Sequence, residues 1–356
     1  MKIKIIALLL LVIISIGCQE KKPCKRDFRA EKMIVRLADS TDSTNDFFDN
    51  SHTFPLFTND IVVQGEVSNP GKVDFSQLTL HSLVCKEVRL ESGELQFAGA
   101  FRYYGYSLSE ILNHFHIQKK NAKDFHPLTD LYVEIENQNG SKVLISWGEI
   151  YYTNTLNDII IATQVMPITP SRTKQSWKLP LHSKLVVGHD HLTERNISQP
   201  RRITLKSFPI HLKVIKGKNP LYSPRLSLYV QDSLYEVFSQ NPTHFTEEKM
   251  DIIYYGRGLG LHSMHPYTGI DFKNLIQEKV AKTPLNIRHG LVVVAGDDGY
   301  RAVFSYSEIC NRTDQKKLLL VCKPEVKNRG IFSVYPGFDF FSDRAVTGIR
   351  SVYCRR

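Results

Sequence analysis

The sequence predicts an α+β fold made of two tandem copies of one mixed α/β unit, and three observations predict it. Residues 188–203 (GHDHLTERNISQPRRI) and 337–352 (GFDFFSDRAVTGIRSV) align without a gap. They match Gly188 with Gly337, Asp190 with Asp339, Thr193 with Ser342, Glu194 with Asp343, Arg195 with Arg344, Ile197 with Val346 and Arg201 with Arg350. Agreement at that many fixed offsets marks an internal repeat. The same succession of patterns leads up to each block. Strand patterns outnumber helical ones in both, and no regular strand–helix alternation appears, which argues against a doubly wound parallel sheet.

The elements follow in order. The chain opens Met1-Lys2-Ile3-Lys4 and continues IIALLLLVIISI, an apolar run ending at Gly17-Cys18. That run is shorter than the roughly 20 residues of a spanning helix and is read as a signal segment. A small residue before a Cys at its end is the bacterial lipoprotein pattern, so Cys18 is expected to carry the lipid. The protein is then anchored in the bacterial cell envelope, on the periplasmic face or in the outer membrane. Residues 18–57 include the polar DSTDSTNDFFDN and read as a tether. The first unit covers 58–206 and the second 207–356.

Within the units, YYGYSLSEIL (103–112) and YTGIDFKNLI (267–276) give matching helix starts, with Gly105 against Gly269. LYVEIENQNGSKVLISWGEI (131–150) and GLVVVAGDDGYRAVFSYSEI (290–309) read as β-hairpins broken at Asn-Gly and Asp-Asp-Gly, each ending aromatic-small-Glu-Ile. Apolar strands DIIIAT (158–163) and KLLLVC (317–322) follow, then the Gly-Asp-Arg blocks.

Charge is uneven. Twelve Lys or Arg but only Asp190 and Glu194 lie between Ser171 and Arg225, an excess equal to the +10 of the whole chain. Such a strap attracts an anionic small molecule or an acidic protein partner. A nucleic acid is a poor partner, because no recognition-helix pattern is present and an exported protein does not meet chromosomal DNA. Beyond Cys18, five cysteines (24, 85, 310, 322 and 354) form no Cys-x-x-Cys and no small-domain disulfide framework. Cys322 and Cys354 end apolar strands and are expected as possible neighbours.

The segments IVVQGEVSNPGKVDFSQLTLHSL (61–83, with Gly-x-Val-x-x-Pro), YGYSLSEIL (104–112), LPLHSKLVV (179–187) and PRRITL (200–205) together resemble the molybdopterin-binding catalytic domain of the sulfite oxidase family. The resemblance covers most of 58–206, and 207–356 reads as a more divergent relative. It implies a sulfite-oxidase-type fold in each unit and, in the family, molybdenum held by a Cys thiolate. The matching stretches here, KEVRLESGELQF (86–97) and EKMDIIYYGRGLGLHSMHPY (248–267), contain no Cys. Cys85 lies one residue before the first. No cofactor is therefore predicted, and molybdopterin enters only if Cys85 is the ligand.

Other residues carry weaker readings. His189 and His191 flank Asp190, and in an extended segment both would face one side, offering two metal ligands. His114 and His116 share that spacing at a helix end. GRGLGLHSMHPYTG (256–269) is glycine-rich and holds Arg257, His262 and His265, read as ligand-binding residues on a loop at the domain junction. Asp190 with Arg195 and Asp339 with Arg344 read as structural pairs that pin a turn. Three functions remain open: a non-catalytic binding lipoprotein, a molybdopterin-dependent oxidoreductase using Cys85, and a metal-capture lipoprotein using histidines.

Overall fold

The structure is a computed structural model that describes residue 48, residues 50–323 and residues 331–356. The expected signal segment, Cys18, Cys24 and most of the tether lie outside the described residues. Strands dominate. The first half carries β1 (Phe54–Pro55), β2 (Val62–Gly65), β3 (Gly71–Lys72), β4 (Leu80–Glu91), β5 (Glu94–Ser107), β6 (Leu131–Asn137), β7 (Lys142–Ser146), β8 (Ile159–Pro167), β9 (Lys184–Val187) and β10 (Pro200–Ser207). The second carries β11 (Leu226–Val230), β12 (Ser233–Phe238), β13 (Glu247–Gly256), β14 (Gly260–Asp271), β15 (Leu291–Gly296), β16 (Arg301–Ser305), β17 (Leu318–Cys322), β18 (Phe332–Pro336) and β19 (Ile349–Arg355). The α-helices are short: α1 (Leu108–Asn113), α2 (Trp147–Tyr151), α3 (Phe272–Lys279), α4 (Pro284–His289) and α5 (Tyr306–Cys310).

These strands form four small sheets set in a ring, a mainly-β arrangement like a four-bladed β-propeller. This overturns the expected α+β fold of two sulfite-oxidase-type mixed domains. Part of the reason lies in the stretches matched to the family's cysteine segment. Residues 86–97 belong to the long β4–β5 hairpin, and 248–267 to β13–β14. Both hairpins are largely exposed, so their side chains show little apolar alternation, while antiparallel pairing satisfies the backbone whatever the side chains are. The helices carry too few turns to form a layer over any sheet.

Each half supplies two sheets, and the strand order repeats. β3-β2-β10-β6-β7 in the first half matches β12-β11-β19-β15-β16 in the second, with β2–β10 and β11–β19 both parallel. The path β4-β5-β8, with β9 on β8, matches β13-β14-β17-β18. Even the irregularities correspond: opposite Glu87–Val88 of β4 the extra residue is Ala98 on β5, and opposite Tyr254–Tyr255 of β13 it is His262 on β14. Gly105 and Gly269 sit on the equivalent strands β5 and β14. A Cβ at either would lie 2.2 Å from a backbone oxygen, of Ile161 or Leu320, so each glycine permits a close strand approach.

The hairpins β6–β7 and β15–β16 form as the apolar alternation predicts. Each leads into a helix closed by a capping box, Ser146 with Glu149 and Ser305 with Glu308. The two halves are packed into one another. Leu144 on β7 meets Leu291 and Val293 on β15, Val303 on β16 and Phe208. Val88 and Leu90 of β4 lie against the second half's core, and Phe341 lies against the first's.

Candidate functional site

At the junction of the halves lies a buried polar network with an internal two-fold repeat. Arg195 grips Asp190 through Nε (2.8 Å) and Nη2 (2.7 Å), and Glu149 through Nη1 (3.0 Å) and Nη2 (2.5 Å). Arg344 grips Asp339 at 2.8 and 2.5 Å and Glu308 at 3.0 and 2.9 Å. Each arginine then crosses over: Arg195 Nη1 donates to Ser305 Oγ at 3.2 Å, and Arg344 Nη1 to Ser146 Oγ at 3.0 Å. Those hydroxyls donate to the carboxylates gripped by the other half's arginine, Ser305 to Glu149 at 2.9 Å and Ser146 to Glu308 at 2.6 Å. Seven of these residues are buried, and the side chain of the eighth, Asp339, is 2% exposed. The Asp–Arg pairs read as turn pins therefore reach well beyond their turns. Glu149, Glu308, Ser146 and Ser305 were missed by sequence reasoning, although the recurring Glu in WGEI and YSEI was a usable signal.

The network is not fully symmetric. His189 Nε2 donates to the Glu149 carboxylate at 2.6 Å, whereas Phe338 takes the corresponding place and packs against Phe304. Burial opposes ionisation of Glu149, but Arg195 and His189 outweigh it and hold the carboxyl well below its usual range. Burial, with the neighbouring Glu308 adding to it, pushes Asp339 up to about 6 despite Arg344.

Glu149, His189 and Asp190 place ligand atoms within 4.8 Å of one another. The Arg195 guanidinium already bridges both carboxylates, so a cation's place is taken by a side chain. His191 does not join them. Residues 188–189 form a turn rather than extended chain, which sends His189 inward and leaves His191 exposed. His114 and His116 are likewise apart from this cluster, on the edge of α1.

Cys85 lies on β4 and is 7% exposed. Asn196 Nδ2 donates to its sulfur at 3.7 Å, and beside it Glu87 takes a hydrogen bond from Tyr103 at 2.7 Å and pairs with Lys184. Burial first, and Glu87 next, push the thiol up to about 12. A metal-bound sulfur must be a thiolate with open access, so Cys85 does not fit the ligand of a molybdenum cofactor. Cys310 and Cys354 are also buried free thiols, and Cys354 on β19 sits in a different sheet from Cys322 on β17.

Arg257, His262 and His265 sit on the β13–β14 hairpin rather than on a long loop. Arg257 is tied to Asp343 at 2.5 and 2.8 Å and lies over the Tyr152 ring at 5.3 Å. His262 neighbours the Tyr254 ring, and His265 is exposed opposite Ile252.

A cleft does lie under the segment joining the halves, within the basic strap. The strap is fastened at one end by Phe208 N to Asp130 O (2.9 Å) and at the other by Ile215 N to Asp298 O (2.8 Å). Between these ends Pro209, Ile210, Leu212 and Val214 form an apolar wall over a space of about 710 Å³. Opposite stand Lys120, Lys123 and Asn121, with His211 and Lys213 on the strap itself. Deep in the wall Asp130 pairs with Lys119 (2.7 Å) and Arg301 (3.0 Å). Glu66 is spent on Lys120 N and on the backbone and hydroxyl of Ser207. Arg301 is 1% exposed, lines the cleft, and its Nη1 has no hydrogen-bond partner. The buried acids Glu66 and Asp130 offset Lys119 and Arg301. The rim keeps Lys120, Lys123, Lys213 and His211 against Asp124 alone.

No family model and no curated protein matches this chain. Its function is therefore read from the cleft and the network alone.

Proposed function

We propose that this protein is a non-catalytic binding protein that holds a small anionic molecule with an apolar portion in the cleft beneath residues 208–215. The observation that carries this reading is the cleft itself, whose rim is cationic on one side, through Lys120, Lys123 and Lys213, and apolar on the other. A concave site with an apolar wall and a few convergent cations suits a ligand that is anionic at one end and apolar at the other. Lys120, Lys123 and Lys213 add attraction, and the apolar residues of the strap cover the rest of the ligand. The test is calorimetric titration of the full chain with citrate, a nucleoside diphosphate and a medium-chain fatty acid. At least one binds, and Lys120→Ala with Lys123→Ala weakens it about tenfold, the worth of a charge-assisted contact. Failure of all three to bind, or equal binding by the variant, overturns the reading.

The protein is further proposed to work as a lipid-anchored envelope protein, supported by the apolar run ending at Gly17-Cys18. Among the described residues no helix is long and apolar enough to cross a membrane. Cys18→Ala should leave the membrane fraction or remain unprocessed. A variant processed and membrane-bound like the parent refutes the anchor.

A further inference from the structure

A second cavity, of about 290 Å³, opens between α3, α5 and the loop that follows α5. It is lined by His191, Lys273, Lys282, Arg312 and Lys316, with Asp271 as its one acid. Asp271 is already spent, accepting from Lys273 N at 3.0 Å and lying 3.5 Å from Lys273 Nζ. Arg312 is held bidentately by Asp314 at 2.8 and 2.6 Å, just outside. Lys282 is half-buried and has no hydrogen-bond or ion-pair partner among the described residues. Burial holds its ammonium below the usual lysine range, and Lys273 adds to that. Partial desolvation at the cavity wall, with Lys282 next, does the same to His191, whose outer edge stays exposed. A desolvated ammonium among other cations is an expensive arrangement unless an anion comes to it.

The fold does not require this concentration of charge, as the equivalent place in the first half makes plain. Registers of the paired strands and helices bring Ser107 to Asp271, Ser109 to Lys273, Tyr151 to Cys310, Thr153 to Arg312, Asn157 to Lys316 and Phe340 to His191. None of those residues around the equivalent place, Phe340 of the second half included, is charged. There the Ser107 and Ser109 hydroxyls both bond to Leu156 O, at 2.9 and 3.1 Å. Tyr151 Oη donates to Ser109 O and Asn113 Oδ1 at 3.0 Å. One pit is closed by its own hydrogen bonds. Its counterpart is open and cationic.

We propose that the cavity beside Lys282 binds a small oxyanion, either inorganic phosphate or the phosphate group of a phosphomonoester. Lys282 is its central donor, and Lys273, Arg312 and Lys316 surround it. The site shares no residue with the strap cleft, so the two readings stand or fall separately.

The test is trace acetylation of the full chain with residue-resolved mass spectrometry, at constant ionic strength, in chloride, phosphate, sulfate or glycerol phosphate. Phosphate should slow modification of Lys282 about tenfold with a saturating concentration dependence, and chloride should not. Saturation at lower concentrations of glycerol phosphate than of inorganic phosphate supports the phosphomonoester, and equal saturation supports the free ion. The variant Lys273→Met with Lys316→Met should need about tenfold more phosphate for the same protection, while its thermal unfolding in chloride matches the parent's. Equal labelling of Lys282 in phosphate and chloride overturns the proposal. Undiminished protection in the double variant also overturns it, as protection unrelated to this cavity.

Discussion

Arg344 donates its Nη1 to the hydroxyl of Ser146 at 3.0 Å, across 198 positions of sequence. Ser146 passes that contact to Glu308, which Arg344 itself grips. The matching path runs from Arg195 through Ser305 to Glu149. Each half thus completes the other's polar core.

Removing one guanidinium strands two buried carboxylates. Arg344→Met leaves Glu308 and Asp339 without their cation, and the loss of stability should be about 3–5 kcal/mol. Urea unfolding measures it. The exposed pair Arg257–Asp343 is the comparison, and Arg257→Ala should cost about 1 kcal/mol or less. A loss for Arg344→Met as small as that for Arg257→Ala would show the network to be energetically idle.

Glu149 gives the pH dependence its sign. Its folded-state pKa is depressed, so its contribution to stability is present above the unfolded value of about 4.3 and is lost as pH falls through the lower folded value. Unfolding free energy of the parent should therefore drop steeply below about pH 4.3. Glu149→Gln should be less stable at neutral pH and show a shallower acid slope. Parallel slopes for parent and variant would contradict the assignment.

Gly105→Ala and Gly269→Ala test the repeat at single atoms. A methyl at either site meets a backbone oxygen at 2.2 Å, which no rotamer relieves. Each variant should lose about 1–3 kcal/mol or more, and by similar amounts. Thermal melts decide it, and a neutral effect at one site with a severe one at the other would mean that the two close approaches differ.

Cys85 should be chemically silent in the folded protein. With its thiol pushed up to about 12, the thiolate fraction at pH 8 is on the order of one part in 10,000. Iodoacetamide should modify Cys85 only after unfolding in urea. Rapid alkylation of the native protein would reopen the sulfur as a ligand or nucleophile.

Much of the repeat was legible, because its signals are local. The Asn-Gly and Asp-Asp-Gly turns mark β6–β7 and β15–β16, and the Gly-Asp-Arg blocks align by residue type alone. The sheets were not legible. β2 finds its parallel partner β10 about 140 residues away, and β11 finds β19 at a similar remove. Periodicity states which face of a strand is apolar, not which strand lies beside it. The β13–β14 hairpin was hidden for another reason: its glycines, histidines and exposed apolar side chains look like a binding loop. At the junction, Asp190 and Arg195 stood out because they recur within one short block. Glu149 and Ser305 did not, since what joins them to Arg195 is the approach of β7 to β16. The strap's charge was plain in the sequence, whereas the apolar wall of its cleft depends on which strap side chains face inward.

The reciprocal contacts give the junction the form of an isologous interface, in which the surface each repeat presents is the one it receives. A chain holding a single repeat would keep each arginine on its own half's acids but display a self-complementary patch whose serine, and the guanidinium nitrogen that reaches for it, lack their partner across the junction. Such a chain would find its partner in another copy of itself. Joining two copies through the strap turns that encounter into an intramolecular one. It also frees either copy to change alone, as His189 and Phe338, or Lys273 and Ser109, already have.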